Sequence, residues 1–202
     1  VAYGNEVLDA LPCHLLIRRQ NRWLERAVGI RQNQWVWVER EICCPILAAA
    51  AAAIEGDFPD GYRTELRTCF NEFLDGLSTA LGRGLMIWID YGFERDEYYH
   101  PARCEGTLRT FYRHQAGEDP LIEPGSRDIS AHVDFSALAS AVCDIGWQSM
   151  PLMSQGTWLT RLARPWLLGM EGRPDAPLLR QFQSLTHPGQ MGSRFQVLEM
   201  QR

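Results

Sequence analysis

The apolar positions along the chain fall into three kinds of pattern. A continuous run, Gly84-Leu85-Met86-Ile87-Trp88-Ile89, ends abruptly at Asp90-Tyr91-Gly92-Phe93. Unbroken apolarity over so few residues predicts a strand covered on both faces, as parallel sheets in α/β proteins require. Alternating stretches at residues 13–19 and 23–28 flank Gln20-Asn21-Arg22, and a third lies at residues 34–39. These predict a hairpin and a side ribbon. Helical spacing appears at residues 62–81, through Leu66, Phe70, Phe73, Leu74, Leu77 and Leu81, and at residues 135–145, opened by Asp134 as a cap and closed by Gly146.

The remaining segments are read from shorter signals. Residues 1–6 predict the end of a short strand, and residues 7–12 a helical turn halted before Pro12. Residues 42–55 are alanine-rich and predict a buried helix, too short for the roughly 18 apolar residues that a membrane span needs. Residues 94–133 form a long polar connection whose aromatic content predicts order. Residues 147–154 predict a strand, 156–168 a helix broken at Pro165, 178–185 a short helix and 195–200 a closing strand. The sequence of elements is α/β, in a single domain over residues 1–202.

Composition narrows the function classes. A net charge of -5 argues against a broad electrostatic grip on nucleic acid. The six cysteines show no Cys-x-x-Cys spacing and predict reduced thiols in a cytosol-like compartment. The first residue is Val1, in what reads as mid-strand, which predicts a piece of a longer polypeptide.

Candidate chemistry sits at predicted strand ends. In open α/β sheets ligands bind beyond the carboxyl ends of the strands, where Asp90, Tyr91 and Gly92 fall; the alternative is that Asp90 caps the next segment and Gly92 turns the chain. Asn5, Glu6 and Asp9 follow the first strand and could form with Asp90 a negative rim for a guanidinium, or could favour a helix amino terminus. Asp128, His132 and Asp134 offer metal-type ligands, but no second cluster completes a site, so an ordering polar network is the preferred reading and no metal is expected. Gly76-Leu77-Ser78-Thr79-Ala80 lacks the last glycine of a nucleophile elbow and lies in a predicted helix. Gly82-Arg83-Gly84 precedes its strand and reads as a turn.

Several motifs in one order carry a family resemblance: Gly4-Asn5-Glu6-Val7-Leu8-Asp9-Ala10-Leu11-Pro12, Ile89-Asp90-Tyr91-Gly92, Gly106-Thr107-Leu108-Arg109, His114, Pro124-Gly125-Ser126-Arg127-Asp128-Ile129-Ser130-Ala131-His132-Val133-Asp134-Phe135, and the closing Gln155-Gly156-Thr157-Trp158 and Met191-Gly192-Ser193-Arg194-Phe195. The chain resembles the MidA family of S-adenosylmethionine-dependent methyltransferases, relatives of the mitochondrial complex I assembly-factor arginine methyltransferase. The resemblance implies the later half of a class I (Rossmann-like) methyltransferase sheet, strands four to seven, with a β-hairpin ribbon and an insertion after strand five at about residues 94–133. It implies that the cofactor-binding half and its glycine-rich motif are not in this chain, which alone would bind no S-adenosylmethionine and would be inactive.

By the same resemblance Glu6, Asp9, Asp90 and His132 are candidate catalytic residues, and Asn5, Tyr91, Asp134, Arg109 and His114 candidate substrate contacts. Implied partners are a protein with an acceptor arginine, such as a complex I subunit, and a second copy pairing through an exposed sheet edge, with neither nucleic acid nor a membrane span involved. The implied compartment is bacterial cytoplasm or the mitochondrial matrix. A non-catalytic assembly module and a metal-dependent hydrolase are the competing readings.

Overall fold

The computed structural model describes residues 1–113, 115–117, 119–170 and 175–202, and they fall into two compact units. The first comprises Val1–Leu8, Leu74–Phe93 and Val133–Arg202; the second comprises Asp9–Phe73 and Glu94–His132.

The first unit is built on β6 (Leu85–Phe93), the predicted central strand. Strand β1 (Ala2–Asn5) runs parallel along one edge, with Ala2 opposite Met86 and Asn5 opposite Ile89. Farther along β6, the short β10 (Val133–Asp134) also pairs parallel, opposite Gly92 and Phe93. The other edge holds β13 (Phe195–Gln201), antiparallel, with Val197 opposite Ile89. Beyond it lie β11 (Gln148–Ser149) and β12 (Met153–Ser154), both antiparallel to β13. The order is therefore β1-β6-β13-β11. One strand was expected over residues 147–154. It is divided because Pro151 has no N–H to give to a ladder, and Met150 N–H instead reaches Glu199 O at 2.8 Å.

Helices cover the sheet. Ile89, Phe195 and Val197 pack with Trp158 of α5 (Gln155–Gly169), and by strand alternation Met86, Trp88 and Asp90 share the opposite face. Helix α4 (Phe135–Asp144) has the expected cap: Asp134 Oδ1 accepts from Ala137 N at 3.0 Å. Helix α5 runs unbroken through Pro165, against expectation. An interior proline costs about 3 kcal/mol, but the helix is anchored on both sides, by Trp158 in the core and by Trp166 against Phe182 of α6 (Ala176–Thr186), ring centroids 5.5 Å apart.

The second unit contains the ribbon as a four-stranded antiparallel sheet. Its order is β4 (Gln34–Arg40), β3 (Arg22–Arg31), β2 (His14–Arg19), β5 (Arg63–Leu66). Two-residue turns join the first three in sequence; Gln20 and Asn21 have φ 48° and 61°, Gln32 and Asn33 49° and 60°, the left-handed pair that suits hairpin twist. Strand β5 corrects the helix expected over residues 62–81, which begins only with α2 (Phe70–Leu81). Leu66 and Phe70 matched helical spacing, yet Arg63 to Leu66 pair with β2 and bury Thr64, Glu65 and Leu66. Helix α1 (Pro45–Ala52) is also less buried than its composition suggested, with only Leu47 and Ala51 inside and Ile46 69% exposed. In the long connection, α3 (Arg95–Tyr98) precedes a three-stranded sheet ordered β8 (Gln115–Gly117), β7 (Arg109–Tyr112), β9 (Asp128–Ser130).

Candidate functional site

Of the residues singled out in the sequence, Asn5, Glu6, Asp90, Tyr91 and Asp134 belong to the first unit. Because β1 and β6 are parallel and in register, their carboxyl ends lie side by side, and Glu6 N–H donates to Ile89 O at 3.0 Å. Glu6 itself turns the chain with φ 52°, a left-handed conformation uncommon outside glycine, and its side chain is exposed. Asn5 Nδ2 donates to Glu6 Oε1 at 3.3 Å. An exposed carboxylate held at a strand end by an unusual backbone is free to meet a cation.

Asp90 has a different part. It is fully buried, and its Oδ2 accepts from Val7 N at 3.1 Å and Leu8 N at 2.8 Å, while Oδ1 accepts from Tyr91 N at 2.9 Å. Three backbone donors therefore converge on one carboxylate. The helical turn expected over residues 7–12 does not form, because the N–H groups that would start it are taken by Asp90. Asp90 thus fixes the segment that carries Glu6. Tyr91 stacks on Phe195 with ring centroids 4.1 Å apart. Gly92 is required by close approach: a Cβ there would lie 2.1 Å from Val133 O, where β10 pairs with β6.

Asp9, His132 and Arg109 belong to the second unit, and His114 lies outside the described residues. Two residues not singled out in the sequence organise this unit. Arg67 donates to four backbone carbonyls, from Nη1 to His132 O at 2.6 Å, from Nη2 to Ala131 O at 2.7 Å and Asp9 O at 2.8 Å, and from Nε to Leu11 O at 3.3 Å. Glu65, 3% exposed, accepts from Thr107 N at 2.9 Å, Thr107 Oγ1 at 2.8 Å and Leu108 N at 3.2 Å. Thr107 Oγ1 accepts in turn from His132 N at 3.0 Å. Gly106 has φ 70°, and a Cβ on it would strike Glu65 Oε1 at 2.4 Å, so the Gly106-Thr107-Leu108 motif is the receptor of this carboxylate. Glu65 in a short strand and Arg67 immediately after it, charged residues in a stretch where the helical pattern assigns polar surface, were the available signal.

Electrostatics follow burial. The His132 imidazole is lowered to about 4, by burial first and then by the Arg103, Arg109 and Arg67 charges, so it is neutral at pH 7 and a weak proton acceptor. The Asp9 carboxyl is raised, burial outweighing backbone donation and the Arg67 charge. Arg109 uses Nη1 on its own neighbour Leu108 O at 2.7 Å. Among the described residues no three His, Cys, Asp or Glu side chains gather as a metal centre would need, and Asp134 is engaged as the α4 cap. The metal-dependent hydrolase reading therefore has no geometric support here. No helix among the described residues is long and apolar enough to cross a membrane.

A methyl-donor cradle would need a parallel strand ending in a glycine-rich turn at the start of a helix. Among the described residues β1 ends in the Asp90-held loop and β6 leads to the four-residue α3, so neither supplies one. The described residues do not fit that cofactor by themselves, and the chemistry below is confined to the acceptor side.

Comparison with known proteins places this architecture. Residues 1–153 match the family described as "Putative S-adenosyl-L-methionine-dependent methyltransferase". Among curated proteins, the mouse mitochondrial protein arginine methyltransferase NDUFAF7 is 30% identical over 204 residues, covering 95% of this chain and 43% of its own length. The Drosophila melanogaster homologue is 27% identical over 211 residues, covering 98% and 46%. A Burkholderia thailandensis protein crystallised with S-adenosyl-homocysteine superposes with a TM-score of 0.87 at 35% identity, over 99% of this chain and 52% of that one. The chain spans less than half the length of these curated relatives. The match over residues 1–153, more than half of the sequence, shows that the chain belongs to the MidA-like family of S-adenosyl-L-methionine-dependent methyltransferases.

Proposed function

We propose that the intact protein transfers a methyl group from S-adenosylmethionine to an arginine of a protein acceptor, with Glu6 as the carboxylate that receives the guanidinium. The carrying observation is the exposed Glu6 on a left-handed turn at the β1 end, fixed to β6 through Ile89 O and backed by the three-donor Asp90. A guanidinium is protonated at neutral pH and a poor nucleophile, so an enzyme acting on it has to orient the plane and dispose of a proton; a forked carboxylate serves both ends. Asn5, bonded to Glu6, and Tyr91 complete the acceptor side in the first unit. Asp9, His132 and Arg109 belong to the second unit, and the low His132 basicity argues against a proton-transfer part for it.

Support comes from the relatives named as protein arginine methyltransferases and from the neighbour crystallised with S-adenosyl-homocysteine. The order β1-β6-β13-β11 with β13 antiparallel fits strands four, five, seven and six of a class I methyltransferase sheet. On this reading residues 1–202 are the later part of the catalytic domain, residues 94–133 its insertion, and the cofactor cradle lies in the rest of the protein. A complex I subunit or a similar protein is the proposed acceptor; the proposed compartment is a bacterial cytoplasm, with the mitochondrial matrix as the alternative that the mitochondrial names of the curated relatives fit. In the 202-residue chain taken without the rest of the protein, the open edge of β1, with Tyr3 61% exposed, is the proposed pairing edge for a second copy.

The test is Glu6→Gln in the intact enzyme, assayed with tritiated S-adenosylmethionine and an arginine acceptor. Turnover should fall at least about tenfold with cofactor affinity unchanged; normal turnover would end the assignment. A second reading is a non-catalytic assembly module, and intact protein that fails to bind S-adenosylmethionine would establish it in place of the first.

A further inference from the structure

The second unit carries two adjoining cavities of unlike chemistry. The larger, about 520 Å³, is mainly apolar, with Leu11, Trp35, Trp37, Leu121 and Ile129 in its wall. The smaller, about 440 Å³, is polar, and Arg26, Arg63 and Arg109 line it. Both include Arg26 and Trp37 in their linings, and the Arg26 guanidinium lies 4.3 Å from the Trp37 ring centroid. This stacked pair is the boundary between them. Volumes of this size suit side chains or short segments of a ligand.

The β3–β4 hairpin explains how the boundary is presented. Its register sets Arg26 opposite Glu39, Val28 opposite Trp37 and Ile30 opposite Trp35, so all six side chains share one face. Val28, Ile30 and Trp35 are 50%, 67% and 53% exposed. Three large apolar side chains displayed together beside an apolar cavity are not needed for a hairpin to fold, and they mark a contact surface.

Charge decides what the surface accepts. The carboxylates of the smaller cavity are already engaged. Glu65 holds Thr107 and Leu108, Glu105 pairs with Arg63, and Asp119 Oδ1 accepts from Leu121 N at 3.0 Å. Arg109 spends one nitrogen on Leu108 O, and Arg26 lies on Trp37; among the described residues neither is ion-paired. Arg26 and Arg109 line one cavity with no carboxylate at ion-pair distance among the described residues, Glu39 being paired with Arg19 and Asp119 acting on Arg26 only as a nearby charge; two such guanidinium forks can receive a carboxylate in bidentate fashion.

We propose that this surface docks an extended segment of the acceptor protein in which a large apolar side chain seats against Trp35 and Trp37 and a neighbouring acidic side chain is held by Arg26 and Arg109. The inference rests on the protein-acceptor reading above and supplies it with a docking determinant carried by the second unit. A free phosphate compound would use the arginines but leave Val28, Ile30 and Trp35 without purpose.

The test uses the 202-residue chain and a fluorescein-labelled peptide of four Leu-Asp repeats, followed by fluorescence anisotropy, with Leu-Lys and Ser-Asp repeats as controls. The Leu-Asp peptide should bind saturably and both controls at least about tenfold more weakly. Arg26→Gln combined with Arg109→Gln, and separately Trp35→Ser on the exposed hairpin, should each weaken binding about tenfold, with circular dichroism unchanged. Arg26→Glu should shift preference toward the Leu-Lys peptide. Absence of saturation at millimolar protein, equal binding of the controls, indifference to all three substitutions, or complete displacement by millimolar inorganic phosphate would overturn the proposal. Because no methyl transfer is read, selective binding beside an inactive intact enzyme would retain this inference and count against the catalytic reading alone.

Discussion

Replacing Arg67 tests whether one side chain closes the second unit. Its guanidinium bonds carbonyls at residues 9, 11, 131 and 132, which are up to 123 positions apart in the sequence, three of them at 2.8 Å or less. A hydrogen bond to a charged group contributes about 1.5–3 kcal/mol net, and a buried acceptor stripped of its donor costs about 1–3 kcal/mol. Not all of this is lost on truncation. Asp9 O keeps Ala131 N–H at 3.1 Å, and His132 O keeps the Tyr98 hydroxyl at 3.3 Å. Counting the three short bonds at the low end and allowing for those second donors, Arg67→Ala should destabilise by about 3–4 kcal/mol, a large share of the roughly 5–15 kcal/mol that holds a domain. Arg67→Lys keeps the charge but cannot span four acceptors with one ammonium, and should cost about 2 kcal/mol. Urea titration of the 202-residue chain, followed by hydrogen exchange at residues 9–11 and 131–132, measures both. An Arg67→Ala loss below about 1 kcal/mol, or a lysine variant equal to wild type, would refute the reasoning.

Three further outcomes are expected. His132 is about 4 when folded against about 6.5 in an unfolded chain; the unfolded state takes the proton first, so stability falls as pH drops from about 6.5 to 4 and levels out below, a loss of about 3 kcal/mol. Denaturation of His132→Gln and wild type across that range should show the variant lacking this slope. Gly92→Ala, whose Cβ would stand 2.1 Å from Val133 O, should cost about 3 kcal/mol or more and strip exchange protection from β10 before the rest of the first unit. Titration calorimetry of the 202-residue chain with S-adenosylmethionine should give no measurable heat of binding, and a tight stoichiometric complex would show that the cradle is within these residues.

The legible part of the fold was the part governed by solvent contrast. The unbroken apolar run of β6 announced a strand covered on both faces, Asp134 announced the α4 start, and Gln20-Asn21-Arg22 announced a hairpin, whose turn the structure narrows to Gln20 and Asn21. Strand β5 was hidden because Leu66 and Phe70 fell by accident on a helical spacing, while its burial of Glu65 depends on Thr107 and Leu108, some forty positions later. Arg67 was invisible for a related reason: its partners are main-chain carbonyls, which every residue possesses, so no side-chain pattern reports them. At the candidate site, the type of group at 6 and 90 was readable from strand-end position. The division of labour, an exposed Glu6 and an Asp90 occupied by three N–H groups, needed coordinates.

The placement of β13 has a cost in time. This strand, from the last eight residues of the chain, is wedged between β6 and the β11–β12 pair, so β6 waits on a ribosome for about a hundred further residues before its second edge can be zipped shut. Until then a strongly apolar ribbon stands half-laddered, the kind of nascent surface that holdase chaperones patrol. Removing Phe195–Gln201 would leave it in that state permanently.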